Sequence, residues 1–251
     1  MPKVIALGTS AALPHDAREH TYLLVQGETE AYLIDCAGSP LQRLLHVGMA
    51  LQKLEGLIVT HHHPDHIYGV PMLLTGLWLQ GRRRPFHIYG PEKSVRVLQA
   101  FGELLEWATW PDWLTVVYHG VPTRANALVL DTPEFRVTAS PAEHLVITSL
   151  ALRVEAKQTG GVMVYSSDTE PCEAVVRLAR GADVLIHEAT GPLEGHSSAA
   201  QAGAIAGQAQ VKRLVLVHYP RAEDAPLMVE EAGQGFAGPV EVAEDFAAYQ
   251  F

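Results

Sequence analysis

The sequence has few cysteines, no long apolar run and no excess of positive charge. Its two cysteines, Cys36 and Cys172, are too few and too far apart for a disulfide framework or a cysteine-rich zinc module. No segment approaches the roughly 18 apolar residues of a membrane span, and "MPKVIALGTS" lacks the basic and apolar regions of a signal peptide. The net charge of -10 gives no general attraction to nucleic acid. We therefore expect a cytoplasmic protein without membrane contacts.

The composition is that of an ordinary globular protein. The chain has 251 residues, of which 48% are hydrophobic and 18% are charged, so it can bury a substantial core. No composition break, low-complexity linker or internal repeat divides it. We therefore expect residues 1–251 to form a single domain.

Apolar runs of strand and helix type alternate along the chain. "KVIALG", "TYLLVQ" and "AYLIDCAG" are typical of strands. "SPLQRLLHVGMAL" has helical spacing, with Ser39 as a candidate N-cap and Pro40 at the first helical position. Gly81 should close a helix in "VPMLLTGLWLQG", and Ser197 or Ser198 should cap the small-residue helix that follows them. Several alternating runs in the second half indicate antiparallel strands. The pattern predicts two packed sheets with helices outside, an α/β fold.

Polar side chains recur where apolar strands end. Five such pairs occur in the sequence: Thr60-His61, Tyr118-His119, Ser167-Asp168, Ile186-His187 and Val217-His218. Functional sites in α/β proteins are commonly built at strand ends, because rigid strands there lead into short loops. The pattern therefore predicts a site assembled from distant parts of the chain.

The stretch "LIVTHHHPDHIYG" has the spacing of a metal-binding segment. In an extended chain His61 and His63 lie on one face and can share a metal, while His62 points away. Pro64 favours an extended backbone at His63 and then turns the chain. Asp65 and His66 can consequently point toward a second metal. Imidazole with carboxylate suits zinc, iron or manganese.

"THHHPDH" resembles the H-x-H-x-D-H motif of the metallo-β-lactamase superfamily. Further segments resemble ribonuclease Z and its cyclic phosphodiesterase-like relatives, in the family's order: "ALGTSAALP", "AYLIDCAG", "IYGP", "YSSDT", "IHEAT", "GHSSAAQAGAIA" and "RLVLVHYPR". The resemblance implies a four-layer αββα sandwich with a dinuclear metal site at the sheet edge.

The resemblance also implies how the metal ligands are divided. Metal one would be held by His61, His63 and His144, metal two by Asp65, His66 and His218, and Asp168 would bridge them. Spacing alone does not select His144 over His119 or His187. The expected cofactors are two divalent ions, zinc in the first place, with manganese or iron as alternatives.

The implied chemistry is phosphodiester hydrolysis. A hydroxide bridging two metals would be the nucleophile, and Asp65 would orient it. In "HEATGPLEGHSS", Glu188 and His196 match a family pair in which the glutamate orients a histidine beside the leaving group. His196 would then be the general acid.

The chain departs from ribonuclease Z in one large feature. Transfer-RNA-processing members carry a long arm between the positions of His144 and Asp168, whereas here segment 145–167 is predicted to be two paired strands joined by "KQTGG". The family's H-x-S-x-R is also altered, to "HYPR". Transfer RNA is therefore a disfavoured substrate, and a small anionic phosphodiester is favoured. Relatives are often dimers, so a homodimer is considered, although no sequence feature marks an interface.

Three alternatives remain open at this point. The chain could hydrolyse another ester, such as an aryl sulfate, lactone or thioester. It could be a mononuclear iron dioxygenase, since those relatives retain H-x-H-x-D-H. A non-catalytic scaffold is a third class, but such members usually have eroded ligands and all seven expected ligands are present here.

Overall fold

Two mixed β-sheets pack face to face in the computed structural model, which describes residues 1–13 and 18–251. Within those residues the strands of the first sheet are β1 (Lys3–Gly8), β2 (Tyr22–Gln26), β3 (Ala31–Ile34), β4 (Leu54–Ile58), β5 (Phe86–Pro91), β6 (Val116–Val121) and β14 (Ala248–Gln250). Those of the second sheet are β7 (Ala127–Asp131), β8 (Phe135–Ala142), β9 (Ser149–Ala156), β10 (Val162–Tyr165), β11 (Val184–Glu188), β12 (Leu214–Val217) and β13 (Val240–Val242).

The α-helices connect the strands and cover the outer faces of the sheets. They are α1 (Pro40–His46), α2 (Pro64–Ile67), α3 (Val70–Leu79), α4 (Glu92–Leu104), α5 (Glu173–Ala179), α6 (Ala199–Ala209) and α7 (Ala225–Gly233). Short 3₁₀ turns lie at Leu51–Lys53, Trp107–Thr109 and Ala222–Asp224. Across residues 1–13 and 18–251, every helix is too short or too polar to span a lipid bilayer.

Each sheet contains one block of parallel strands. The strand order is β14-β1-β2-β3-β4-β5-β6 in the first sheet and β13-β12-β11-β10-β9-β8-β7 in the second. Strands β3 to β6 are parallel to one another, and so are β10 to β13. The carboxyl ends of parallel strands share one edge of their sheet, which is where α/β folds build their sites.

Three apolar layers hold the structure together and make it a four-layer αββα sandwich. Alternation along β1 shows the arrangement: Val4 and Ala6 face the core between the sheets, whereas Ile5 and Leu7 face the helices of the first sheet. A third core lies between the second sheet and α5, α6 and α7. Both faces of the sheets are covered, so the central parallel strands β3, β11 and β12 are buried along their whole length.

The helix boundaries confirm most of the predicted signals and contradict one. Ser198 begins α6 with a capping box, in which it and Gln201 bond each other's backbone N–H. Gly81 follows α3 with a φ of 78°, a left-handed conformation suited to glycine. Ser39 does occupy the predicted N-cap position of α1, but the expected capping bond is absent: its side chain makes no cap bond, and its backbone N–H donates to Glu19 Oε2 at 2.8 Å.

Segment 145–167 folds as predicted, and the chain's last strand was not predicted. Strands β9 and β10 pair antiparallel, with Val162 opposite Glu155, so this part of the chain lies within the second sheet. Strand β14 pairs antiparallel with β1 at the edge of the first sheet. With only three residues it is too short to give a recognisable alternation.

Candidate metal centre

The predicted ligands lie just beyond the carboxyl ends of four strands, one in the first sheet and three in the second. Residues 61–66 follow β4, His144 follows β8, Asp168 follows β10 and His218 follows β12. The turns there are tight: Asp35, Leu145, Ser167 and His218 have positive φ values of 60°, 49°, 55° and 53°. Such conformations are uncommon for residues other than glycine, and they concentrate at functional sites.

Three histidines meet at the first candidate position. His63 Nδ1 lies 3.1 Å from His61 Nε2 and 3.0 Å from His144 Nε2. His61 and His144 are buried, and His63 is half-buried. Three imidazole nitrogens this close can bind one metal ion, because ligands of a single ion must converge within about 2 Å of it.

The second candidate position lies beside the first. Asp65 Oδ2 is 3.6 Å from His66 Nε2 and 3.4 Å from His218 Nε2. Helix α2, which begins at Pro64, carries both Asp65 and His66. Asp65, His66 and His218 thus form a second group with metal-ligand spacing, and the ring of His66 also lies 4.0 Å from that of His61.

Asp168 lies between the two groups. Its Oδ2 is 3.3 Å from His66 Nε2, 3.5 Å from His218 Nε2 and 3.9 Å from His61 Nε2. Burial raises the pKa of this carboxyl, but His218 and His66 outweigh it and hold the pKa well below the ordinary value. Asp168 is thus an ionised carboxylate within reach of both groups of ligands.

Buried hydrogen bonds determine which nitrogen of His66 and His61 faces inward. Asp35 Oδ2 accepts a hydrogen bond from His66 Nδ1 at 2.8 Å. Thr60 Oγ1 donates its one proton to Asp35, 2.9 Å away, and therefore accepts from His61 Nδ1 at 3.1 Å. Both imidazoles use Nδ1 in these bonds and turn Nε2 toward the site.

His144 and His218 are oriented in the same way from the other side of the site. His144 Nδ1 donates to the carbonyl of Gly195 at 2.7 Å. Thr190 Oγ1 donates to the carbonyl of His218 at 2.9 Å and accepts from His218 Nδ1 at 2.8 Å. Metal-binding histidines generally have their second nitrogen held by such a partner. Four imidazoles are therefore prepared to give Nε2 to a metal.

Two of the inward atoms lack hydrogen-bond partners, and the set of inward atoms fits divalent cations. Among the described residues, His66 Nε2 and Asp168 Oδ1 are buried without a hydrogen-bond partner, an arrangement that is costly unless a ligand satisfies them. Burial and the nearby His66 hold the pKa of His61 well below its usual value, which keeps it neutral and able to coordinate. Imidazole with carboxylate is the donor set of zinc and similar metals.

A glutamate–histidine pair lies next to this cluster. His196 Nδ1 is 3.0 Å from Oε1 of the fully buried Glu188. Glu188 also accepts from the backbone N–H of Ser197 at 3.0 Å and of Thr190 at 2.9 Å, so it is fixed in place. Burial lowers the pKa of His196, but the bond to Glu188 outweighs it and raises that pKa. The His196 ring lies 4.9 Å from the ring of His144.

The other histidines considered from the sequence lie outside the cluster. His119 Nε2 is 3.0 Å from His87 Nδ1 on the edge strands of the first sheet. His187 is buried and bonds the carbonyl of Glu188 at 2.8 Å. His62 points to Ser94 Oγ, 3.1 Å away. Within the described residues, none of the three belongs to a cluster with metal-ligand spacing.

The sequence did not reveal which residues orient the ligands, although Thr60 stands in one of the predicted strand-end pairs. The orienting residues are Asp35, Thr60, Thr190 and Gly195. Asp35 and Thr60 could have been found, because each is a polar residue directly after an apolar strand. Gly195 acts through its carbonyl, for which a sequence has no signal.

The sandwich and the cluster at its edge define a metal-binding protein of the metallo-β-lactamase fold. Residues 31–219 match the family model described as "Beta-lactamase superfamily domain". The chain is 30% identical over 305 residues to the ribonuclease Z of Methanothermobacter thermautotrophicus, covering 98% of this chain and 95% of the relative. It is 28% identical to the ribonuclease Z of Bacillus licheniformis, covering 99% and 98%.

Solved structures agree with this placement. Human tRNase Z, short form, superposes with a TM-score of 0.80 at 27% identity, covering 99% of this chain and 98% of that chain. The metallo-β-lactamase fold protein YhfI from Bacillus subtilis has a TM-score of 0.82 at 23% identity, with the same coverage. The chain belongs to the β-lactamase superfamily and, within it, to the ribonuclease Z-like branch.

Proposed function

We propose that this protein is a dinuclear metal-dependent phosphodiesterase, with zinc as its metal. The proposed ligands are His61, His63 and His144 for one ion, Asp65, His66 and His218 for the other, and Asp168 between them. The inward lone pairs and the orphaned atoms of His66 and Asp168 support this assignment. Bound there, two divalent ions would supply Lewis acidity at phosphorus and a water that ionises near neutral pH.

The chain's own residues supply the remaining steps. Asp65 orients the attacking water, whose oxygen forms the new bond to phosphorus while the bond to the leaving alcohol oxygen breaks. The oxygen of the leaving alcohol needs a proton. His196 donates it from Nε2, because its Nδ1 is occupied by Glu188. His196 then regains a proton from solvent, and the products are a phosphomonoester and an alcohol.

The observation that carries the proposal is the pairing of His196 with the buried Glu188. A thioester or activated ester needs no strong acid for its leaving group, whereas a phosphodiester of an ordinary alcohol does. Four hydrogen bonds hold the glutamate. They come from His196 Nδ1 and from the backbone N–H groups of Thr169, Thr190 and Ser197. Such fixed support for one imidazole is expected of a positioned proton donor.

We infer a small phosphodiester as substrate. The curated relatives are named ribonuclease Z, which makes RNA a candidate, but segment 145–167 is a hairpin within the second sheet. The alignment with the Methanothermobacter protein spans 305 residues, more than the 251 of this chain, so that relative has segments without a counterpart here. A cytoplasmic location and a homodimer stay predictions. One domain over residues 1–251 is supported by the core that the two sheets share.

The test combines metal reconstitution with a panel of substrates. The zinc-loaded protein should hydrolyse bis(p-nitrophenyl) phosphate and contain two ions per chain. His196→Ala should lower turnover of a dialkyl phosphate roughly 10²- to 10⁴-fold, with much less effect on p-nitrophenyl esters, and metal content should not change. The exposed His46 provides the control, His46→Ala. Activity on thioesters, lactones or aryl sulfates without any phosphodiester hydrolysis would overturn the proposal, as would one iron per chain with oxygen uptake.

A further inference from the structure

The loop after His144 presents apolar side chains to solvent beside the metal centre. Leu145 is 51% exposed and Val146 is 99% exposed. Leu193, in the loop that leads to His196, is 61% exposed. Isolated apolar residues on a surface are ordinary, but a group of them around a site needs an explanation.

Leu145 is fixed between the two parts of the site. Its φ of 49° is unusual for a bulky residue and costs of the order of 1 kcal/mol. A Cβ at Gly195 would lie 2.7 Å from Leu145 Cγ and 3.0 Å from His144 Nδ1. Leu145 therefore packs on the glycine that orients His144 and precedes His196. Through this contact the apolar surface adjoins His144, the proposed ligand.

Leu145 and Val146 border a depression of about 660 Å³. Glu143, His144, Leu145, Val146, Glu170 and Glu194 are among the residues that line it. None of the described residues in its lining is a lysine or an arginine. Proteins hold nucleic acid strands chiefly through lysine and arginine contacts to successive phosphates. This depression is acidic and apolar, which is the wrong surface for a polynucleotide.

We propose that the depression is a subsite for the non-phosphate part of the substrate, and that this part is an uncharged alkyl or aryl group. The inference rests on the proposed function, since the phosphate would lie at the metal centre. Leu145 and Val146 would cover the apolar group. The carboxylates of Glu143 and Glu194 would repel a substrate that carries further phosphates along its chain.

The first test measures binding without turnover. n-Alkylphosphonates from methyl to hexyl are titrated calorimetrically into the zinc-loaded full chain. Affinity should rise about two- to fourfold per methylene, the range for half to full burial of each group. Val146→Ser should reduce the hexyl-to-methyl affinity ratio about threefold or more. Val229→Ser, on the outer helix α7, is the matched control and should leave the ratio unchanged.

The second test concerns charge. In Glu143→Gln/Glu194→Gln, inhibition by a tetranucleotide should strengthen about twofold for each carboxylate removed at low ionic strength. The gain should shrink as salt is added, because exposed charges are screened. Binding of butylphosphonate should change little, since it carries no further phosphate.

Three results would overturn the subsite. The first is that hexylphosphonate binds no better than methylphosphonate. The second is that the wild-type protein binds the tetranucleotide more tightly than butylphosphonate. The third is that Val146→Ser dissociates a dimer in size-exclusion chromatography. The last result would make this surface an interface between copies. Hydrolysis of bis(p-nitrophenyl) phosphate is measured separately, so its absence refutes the proposed function and the calorimetric series still decides the subsite.

Discussion

Replacing the buried carboxylate of Asp35 by an amide (Asp35→Asn) should weaken metal binding at the His66 position. Asp35 accepts hydrogen bonds from His66 Nδ1 and from the backbone N–H of Thr60, both at 2.8 Å. An amide has one acceptor oxygen and one donor nitrogen. If its nitrogen faces His66, that imidazole must move its proton to Nε2, the nitrogen proposed to bind metal. If its nitrogen faces Thr60, two N–H groups confront each other.

Either orientation leaves a buried polar group without a hydrogen-bond partner, which costs about 1–3 kcal/mol. Loss of such a supporting partner typically lowers metal affinity roughly 10- to 100-fold, or about 1.4–2.7 kcal/mol. Competition with a chromophoric chelator should show that one of the two metal ions binds more weakly than in the wild type. Asp131→Asn is the control, because Asp131 is exposed and bonds Lys157 at the protein surface. Two equivalents bound with wild-type affinity by Asp35→Asn would refute the orienting role of Asp35.

Three further predictions concern stability. Gly195→Ala places a methyl group against Leu145 and His144 at a φ of 80°. We expect the free energy of unfolding, measured by urea denaturation, to fall by about 1–3 kcal/mol. An unchanged denaturation midpoint would contradict the close approach. Chelation should lower the melting temperature, since zinc at about 1,000 times its Kd stabilises the native state by about 4 kcal/mol; calorimetric traces that coincide with and without chelator would argue against binding to the native state. Burial raises the pKa of Glu134, but bonds from loop 28–29 outweigh it and lower that pKa. Its stabilisation is therefore present above the ordinary carboxyl pKa and lost as pH falls through the lowered value. The free energy of unfolding of Glu134→Gln should be lower than that of the wild type at pH 7, and the difference should vanish in acid. A difference that does not change with pH would exclude this linkage.

The local arrangement of the centre could be predicted because it follows from backbone geometry. Alternation in an extended chain places His61 and His63 together and His62 apart, and a proline then starts the helix that carries His66. None of this needs knowledge of the rest of the fold. The metallo-β-lactamase resemblance was needed only to find partners further along the chain.

The ligands and orienting partners that lie far from residues 61–66 in the sequence could not be derived from residue spacing. His144 follows an antiparallel strand, and nothing in its neighbourhood distinguishes it from His119, which has a similar position after an apolar run. The orienting partners are harder still, since a threonine hydroxyl or a peptide carbonyl can accept from any histidine that the fold brings near. Thr190 and Gly195 are defined by tertiary structure alone.

The pairing of β14 with β1 has a consequence for how the chain folds. Residues 248–250 cover one edge of β1, so that edge stays open until these residues have been made and have paired. Contacts of such large sequence separation form slowly, and an open strand edge invites pairing with other chains. Asp245 strengthens the closure, since it bonds Arg43 at 2.5 Å and Thr9 Oγ1 at 2.7 Å. The edge of β1 is thus exposed to aggregation until β14 pairs with it, and residues 248–250 protect the strand Lys3–Gly8.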